Sequence, residues 1–342
     1  MTDLPKSTFS LIQKHDGYSG RSEGPVIEDA AEYLEDGDLP MPEPGKGQVL
    51  IKLRMASVNP SDLHFIKGEY GQPRVKGHAA GFEGCGDVVA CGEGAENLKG
   101  LRVGFVASGS GAWSEYCVTE AAMCIPLHPS VKDEDGAAQI VNPLTAIGMV
   151  DIAEADGDCF VLSAAASQLG KLMIGLARDK GLKTIALVRR DDAIDGLKAL
   201  GATEVLNVTA DSFAADFAAA SKAMKPRVFL DAVTDATSEA VFVAMPNHAR
   251  WVTYGKLNPE IFPMTQMGQL IFMSKKIEGF WLTRWMQETP PAKMAELAKE
   301  VQMRFADGRW NTDVATYLPL REAVSGLAAA TKIKDGKIMI TP

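Results

Sequence analysis

Two textures of apolar and polar positions divide the chain. From Gly47 to about Pro126, short apolar and β-branched runs alternate with glycine and proline: GQVLIKLRMASVN, GCGDVVACGEG, LRVGFVASG, WSEYCVTE and MCIPL. Runs of this length bounded by turn residues predict short strands in a partly antiparallel β domain. From about Ala146 the strand-like runs DCFVLSAA, KTIALVR, TEVLNV, RVFLDAV and RWVTYG are separated by Ala-, Leu- and Lys-rich helical stretches. That alternation predicts βαβ crossovers and a parallel sheet with helices on both faces. Past residue 285, PPAKMAELAKEVQMRFADGRW has a prolyl start and helical spacing, LREAVSGLAAATK is a shorter helix, and GKIMITP is a last strand. Such a terminal strand is placed to return to the first domain, leaving the α/β unit inserted in the middle.

The segment VLSAAASQLGKLMIGLARDKGLKTIALVRRDD, Val161 to Asp192, reads as strand, tight turn, helix and strand. A dinucleotide pyrophosphate needs backbone N–H groups at a helix amino terminus and small residues in the turn. Ala164, Ala165, Ala166 and Ser167 are small, and Gly170 suits close helix packing. By pattern alone the stretch also fits an Ala-rich helix start in another α/β domain. About twenty residues on, where an NAD site places a carboxylate, stand Arg189 and Arg190. A guanidinium there pairs with the additional phosphate of NADP. The alternative is a solvated strand end in which Asp191 or Asp192 neutralises the arginines.

Composition narrows the class. At 342 residues, two domains are the natural expectation, and 46% hydrophobic with 23% charged residues is the make-up of a folded protein. A net charge of -9 disfavours nucleic acid and anionic membrane as partners. No window has the apolar length to cross a bilayer, and the amino-terminal MTDLPKSTFSLIQKHDGYSG lacks a basic region followed by an apolar core. A soluble, cytoplasmic protein is therefore expected. The five cysteines include no CxxC pair, which favours buried reduced thiols over a disulfide framework or thiolate cage.

Read together, VNPSDLHFIKGEYG, GFEGCGDVVACGEG, VNPLTA, the Ala-rich turn, VTYGKL and GFWLTRW resemble the medium-chain dehydrogenase/reductase superfamily, in order, from about residue 45 to the end. Within it the chain is most similar to zinc-free enoyl thioester reductases of the mitochondrial type, with quinone oxidoreductases as near relatives. The resemblance implies an α/β fold: a GroES-like β-rich catalytic domain from residues 1–143 and 285–342, and an inserted Rossmann doubly wound parallel sheet over 144–284. It also implies a homodimer joined at sheet edges, for which QLIFMSKKIEGFWL is an apolar run suited to an edge or, alternatively, to the core.

The same resemblance assigns a site. Tyr70 corresponds to the proposed proton donor, although a tyrosine between Glu69 and Gly71 also suits a surface turn. Asp62 braces that turn. Asn142 is the nicotinamide-side residue, or simply part of a helix start ahead of Pro143. Ala166, Ser167, Gln168, Leu169 and Gly170 form the phosphate turn, in which Gln168 replaces a common glycine. Tyr254, Gly255 and Lys256 follow a Rossmann strand, where parallel sheets place ligands. Phe280, Trp281 and Leu282 resemble the segment facing cofactor and acyl chain, and Lys337 a late lysine near the cofactor.

Zinc-dependent relatives use a cysteine, a Gly-His-Glu motif and a later cysteine. Here those positions read Asn59, GFE with Phe82, and a thiol-free VNPLTA, so no metal is expected. His64 and His78 have no partner at ligand spacing. The implied activity is hydride transfer from NADPH to an activated carbon–carbon double bond of an enoyl thioester. Alternatives are a quinone or enone reductase and a non-enzymatic NADPH-binding protein.

Overall fold

A computed structural model describes residues 4–108, 110–260, 264–334 and 336–342. The chain forms two compact units, Met1–Val141 with Glu296–Pro342, and Asn142–Ala295.

In the first unit, β1 (Ser7–Gln13) pairs antiparallel with β2 (Leu34–Pro40). A larger sheet contains β3 (Gln48–Val58), β4 (Glu83–Cys91), β5 (Arg102–Val106), β6 (Tyr116–Glu120), β7 (Cys124–Pro126), β14 (Val314–Pro319) and β15 (Lys337–Thr341). Its order is β14-β15-β3-β4-β5-β7, with β6 also on β3. In β3, Lys52 and Arg54 face outward between buried Ile51, Leu53 and Met55, the alternation of a half-covered strand. The carboxyl-terminal strand β15 does return to this unit, pairing antiparallel with β3 at Ile338 and Val58. Leu11, Ile27 and Leu34 from the first 44 residues pack with Ile51, Phe105 and Trp113 in one core.

The second unit is a six-stranded parallel sheet: β8 (Cys159–Leu162), β9 (Lys183–Val188), β10 (Glu204–Asn207), β11 (Val228–Asp231), β12 (Arg250–Thr253) and β13 (Lys276–Gly279). The order β10-β9-β8-β11-β12-β13 is the doubly wound Rossmann arrangement, which reverses beside the first strand, β8. β8 and β11 are buried along their whole length, as central parallel strands are. The apolar run QLIFMSKKIEGFWL is not one strand: Gly268–Phe272 is a helix and only Lys276–Gly279 joins the sheet, as its edge. Among the described residues, no helix is long and apolar enough to cross a membrane.

Candidate active site

The turn that carries Tyr70 is held by side chains. Helix Pro60–Lys67 begins where Asp62 accepts the backbone N–H of Asn59 at 2.8 Å and, through its other oxygen, that of Phe82 at 2.8 Å. Asp62 is fully buried. Burial, reinforced by the charge of Glu83, raises its carboxyl to about 7 against the two backbone donors. The helix stops at Gly68, whose φ of 75° is left-handed and where a Cβ would sit 2.6 Å from the Arg74 guanidinium. That guanidinium is buried and donates to the carbonyls of Ile66 at 3.1 Å, Gly17 at 3.0 Å and Asp16 at 3.3 Å.

Next to it, the buried Glu69 carboxylate accepts the N–H groups of Glu23 and Gly24 and lies 3.6 Å from the Lys67 ammonium. Lys67 in turn donates to the carbonyls of Gly24 at 2.9 Å and Val26 at 3.2 Å. Tyr70 emerges from this clamp. Its ring is 5.2 Å from Phe82 and meets Phe65 edge-on at 6.4 Å.

Behind the turn runs a buried polar chain. Lys337 Nζ donates to Asn59 Oδ1 at 2.6 Å, Asn59 Nδ2 to Glu83 Oε1 at 2.9 Å, and Ser57 Oγ to the same carboxylate oxygen at 2.7 Å. Glu83 Oε2 accepts the N–H groups of Ile140 and Val141, capping the start of helix Val141–Asp156 with a negative charge. Burial lowers the pKa of Lys337, opposed by Glu83 and Asp62. Asn59 and Glu83 are thereby engaged with one another and with an ammonium group. Among the described residues, no cluster of three or more His, Cys, Asp or Glu is placed to hold a metal ion.

In the second unit the turn after β8 is held by backbone. Ala165 donates its N–H to Leu187 of the neighbouring β9 at 3.1 Å. Ala164 takes a left-handed φ of 49°, a conformation costly for a residue with a Cβ. Ser167 caps helix Gln168–Asp179 by accepting the N–H of Gly170 at 3.1 Å. A Cβ on Gly170 would lie 2.8 Å from the Cα of Ala165 and closer still to its carbonyl. The turn thus presents a helix amino terminus at the strand-order reversal, with Ala166 and Leu169 half-buried around it. Arg189 and Arg190 follow β9, one strand over; Arg190 has a carboxylate oxygen of Asp192 at 3.4 Å, an exposed pair that contributes little.

A second polar group sits at the same end of the sheet. Asp231 accepts from Ser163 Oγ at 2.5 Å, Trp251 Nε1 at 3.0 Å and the N–H groups of Val233 and Thr234. Tyr254, Gly255 and Lys256 follow β12, and the Tyr254 hydroxyl is buried with no hydrogen-bond partner among the described residues. Burial drives its pKa up. Phe280 continues the β13 pairing by donating its N–H to Thr253, and its ring packs with Trp285 over Gly148. Trp281, 38% exposed, begins helix Leu282–Glu288. Asn142 lies in the first turn of helix Val141–Asp156.

The phosphate-turn residues, the arginine pair and the 254–256 segment therefore share the carboxyl ends of parallel strands. Lys337 belongs to the first unit, with its ammonium on Asn59. Arg74, Lys67 and Glu69 had no assigned role in the sequence, because their partners at residues 16–26 are more than forty positions upstream.

Comparison with known proteins agrees with this architecture. The description "alcohol dehydrogenase GroES-like domain" matches residues 45–129, and "zinc-binding dehydrogenase" matches 169–300. The crystal structure of a proposed NADPH:quinone reductase from Mesorhizobium loti is 48% identical, covers 100% of both chains and superposes with a TM-score of 0.94. The chain belongs to the medium-chain dehydrogenase/reductase superfamily. Another superfamily relative, the mitochondrial enoyl-[acyl-carrier-protein] reductase of Bos taurus, is 28% identical over 341 residues, spanning 96% of this chain and 87% of its own. The Etr1p complex with NADP and crotonyl-CoA shares the fold at a TM-score of 0.79 and 21% identity, covering 98% of this chain and 100% of its own. The stretch matched by the second description, residues 169–300, contains no cysteine and one histidine, His248.

Proposed function

We propose that the chain is a zinc-independent, NADPH-dependent reductase of the carbon–carbon double bond in a trans-2-enoyl thioester. The observation that carries this reading is the Tyr70 phenol packed on Phe82, an aromatic ring at the position where zinc-dependent relatives have histidine. A phenol is protonated at neutral pH and supplies a proton without a metal.

The phosphate turn fits a dinucleotide. Gly170 leaves the space that a Cβ would fill, Ser167 orders the helix start, and Arg189 and Arg190 stand where a 2′-phosphate is expected. Bound there, NADPH would be the source of the hydride that reduces the β-carbon of the substrate. Tyr70 then delivers its hydroxyl proton to the α-carbon, and the Lys67, Glu69 and Arg74 clamp fixes the phenol's place for that transfer. Asn142, Trp281 and Phe280 line the nicotinamide and acyl side in this reading; Tyr254, Gly255 and Lys256 line the nucleotide. Lys337 stays on the cofactor side in this reading, its ammonium oriented by the hydrogen bond to Asn59.

The five unpaired thiols, with the pKa of Cys85, Cys117, Cys124 and Cys159 pushed up by burial, accord with a reducing cytoplasm. The β13 edge, with exposed Ile271, Phe272 and Ile277 beside it, accords with a homodimer; a monomeric mass by light scattering removes that part.

The test follows NADPH loss with crotonyl-CoA, with a quinone and without acceptor. Thioester-dependent loss that falls about 10²- to 10⁴-fold in Tyr70→Phe, with the NADPH dissociation constant unchanged, is expected. Equal rates in the variant remove Tyr70 from the mechanism, and stoichiometric zinc by elemental analysis removes zinc independence. The second reading, a quinone reductase, draws on the 48% identical relative; it prevails if the quinone alone is reduced.

A further inference from the structure

Asp231, the last residue of β11, is fully buried, and the donors that reach it are all uncharged. The Ser163 hydroxyl and the Val233 N–H meet Oδ1; the Trp251 indole and the Thr234 N–H meet Oδ2. A carboxylate taken out of water is costly, so four donors on one carboxylate mark a place where the fold needs an acceptor on every side. An amide of the same shape would turn one of those oxygens into a donor and set it against an N–H group.

The two oxygens lead to different segments. Ser163 stands directly ahead of Ala164, the left-handed residue that opens the phosphate turn. Its N–H donates to the Leu230 carbonyl at 3.0 Å, and its hydroxyl, while donating to Asp231, accepts the N–H of Ala232 at 2.9 Å. On the other side Thr234 takes a φ of 61°, which a β-branched residue rarely adopts. Its N–H is held by Asp231 and its hydroxyl donates to the Gly255 carbonyl at 3.0 Å, so the strained residue is fixed at both ends. Around it, Tyr254, Leu257 and Asn258 donate their N–H groups to the carbonyls of Asp231, Ala232 and Val233. A Cβ on Gly255 would lie 3.0 Å from the Ala232 carbonyl oxygen, so the two backbones run in close contact.

We propose that Asp231 is a positioning residue for NADPH. It joins the phosphate turn, through Ser163, to residues 254–258, through Thr234, and fixes the spacing of two segments that grip one dinucleotide. A spacing set before binding removes the cost of ordering the two segments on the cofactor. The inference rests on the placement of NADPH on these segments proposed above and is independent of which acceptor is reduced.

The experiment measures the NADPH dissociation constant by calorimetry and the stability by urea denaturation for variants of the full chain. Asp231→Asn and Ser163→Ala raise the dissociation constant by about tenfold or more, and Thr234→Ala raises it several-fold. Should Asp231→Asn fail to fold, the other two decide. Trp251→Phe removes a donor from the same carboxylate but lies in the core, where its ring packs on Phe229 and Phe242. It lowers stability and leaves the dissociation constant within about twofold of wild type. An affinity loss that tracks the stability loss in every variant, Trp251→Phe included, marks a merely structural carboxylate and overturns the proposal. So do Ser163→Ala and Thr234→Ala both binding NADPH as wild type does.

The combination of Ser163→Ala with Thr234→Ala tests the join itself. Two residues acting through one carboxylate give a combined loss smaller than the product of the single losses; losses that multiply mark independent contacts and overturn it. Gly170→Ala separates the join from the placement of the cofactor. If it weakens NADPH binding and the Asp231 and Ser163 variants do not, the join alone falls; if none of them does, the placement falls with it.

Discussion

The two turns proposed to meet the reactants are built on opposite principles. The Tyr70 turn is fixed by long charged side chains taken out of water: Arg74 on three carbonyls, Lys67 and Glu69 on one another and on the backbone of residues 23–26, Asp62 across to Phe82. The phosphate turn has almost no side chain to spare. It is fixed by backbone contact, with Gly170 against Ala165, Ala164 forced left-handed and one serine cap. The difference follows from the task proposed for each. A backbone that must approach a pyrophosphate closely has to be bare, whereas a phenol that must be aimed is best anchored by many directional bonds around it. Each strategy fails in its own way under substitution.

The largest effect is expected where a buried charge loses its partner. Lys67→Met keeps the length of the side chain and removes the ammonium, leaving the Glu69 carboxylate buried beside two N–H donors and the His64 imidazole, whose Nδ1 is 3.5 Å away. Removing one member of a buried pair costs roughly 3–5 kcal/mol. Urea denaturation should show that loss, and Lys67→Met with Glu69→Gln should recover part of it. NADPH affinity should not move, because the damage stays in the turn that side chains hold. A single variant within about 1 kcal/mol of wild type would mean that the backbone donors suffice and that the contrast between the turns is overstated.

Gly170→Ala tests the other principle. The added Cβ meets the carbonyl, the carbonyl carbon and the Cα of Ala165, backbone atoms that no rotamer change can move aside. Overpacking of this kind costs about 1–3 kcal/mol. Here the stability loss should come with weaker NADPH binding by calorimetry, since strand, turn and helix start shift together. Unchanged affinity would show that the turn does not hold the nucleotide.

The same contrast explains what could be read from the residues in order. The phosphate turn, its helix and the flanking strands are local, and their small residues and buried runs are contiguous, so the Rossmann unit was legible; so was β15, whose GKIMITP run needs no context. The clamp around Tyr70 was not, because Arg74 and Lys67 find their partners in a segment that looks irregular. That segment hides β1 and β2. In STFSLIQ both faces are buried, with Thr8 and Ser10 bonded to Ser114, so the apolar–polar contrast that marks a half-covered strand is missing. In LEDGDLP the acidic residues, glycine and proline suggest a turn, yet the backbone pairs with β1 along its whole length. QLIFMSKKIEGFWL was half legible: Lys276–Gly279 is the sheet edge, whereas Ile271 and Phe272 are exposed on a short helix ahead of it. The network around Asn59 was half legible: its positions stood out for lacking metal ligands, but that Lys337 would reach Asn59 from 278 residues away has no signal in spacing.

The smallest expected effect is the most specific to the backbone-held turn. Ala164 sits at φ 49°, where an L-residue is strained by about 1–2 kcal/mol. Glycine relieves that strain but adds about 0.5–1 kcal/mol of conformational entropy to the unfolded chain. Ala164→Gly should therefore stabilise the protein by up to about 1 kcal/mol, an increase in denaturation midpoint with no change in the denaturant slope. Its carbonyl still accepts the N–H of Ser167, so the cap on the helix is retained. The informative comparison is with NADPH present. If the left-handed alanine serves to hold the turn in its binding shape, the glycine variant gains stability alone and gains less, or loses, when cofactor saturates both proteins. An equal gain with and without NADPH would show that the strained residue has no part in shaping the nucleotide turn, and that close packing at Gly170 alone sets it.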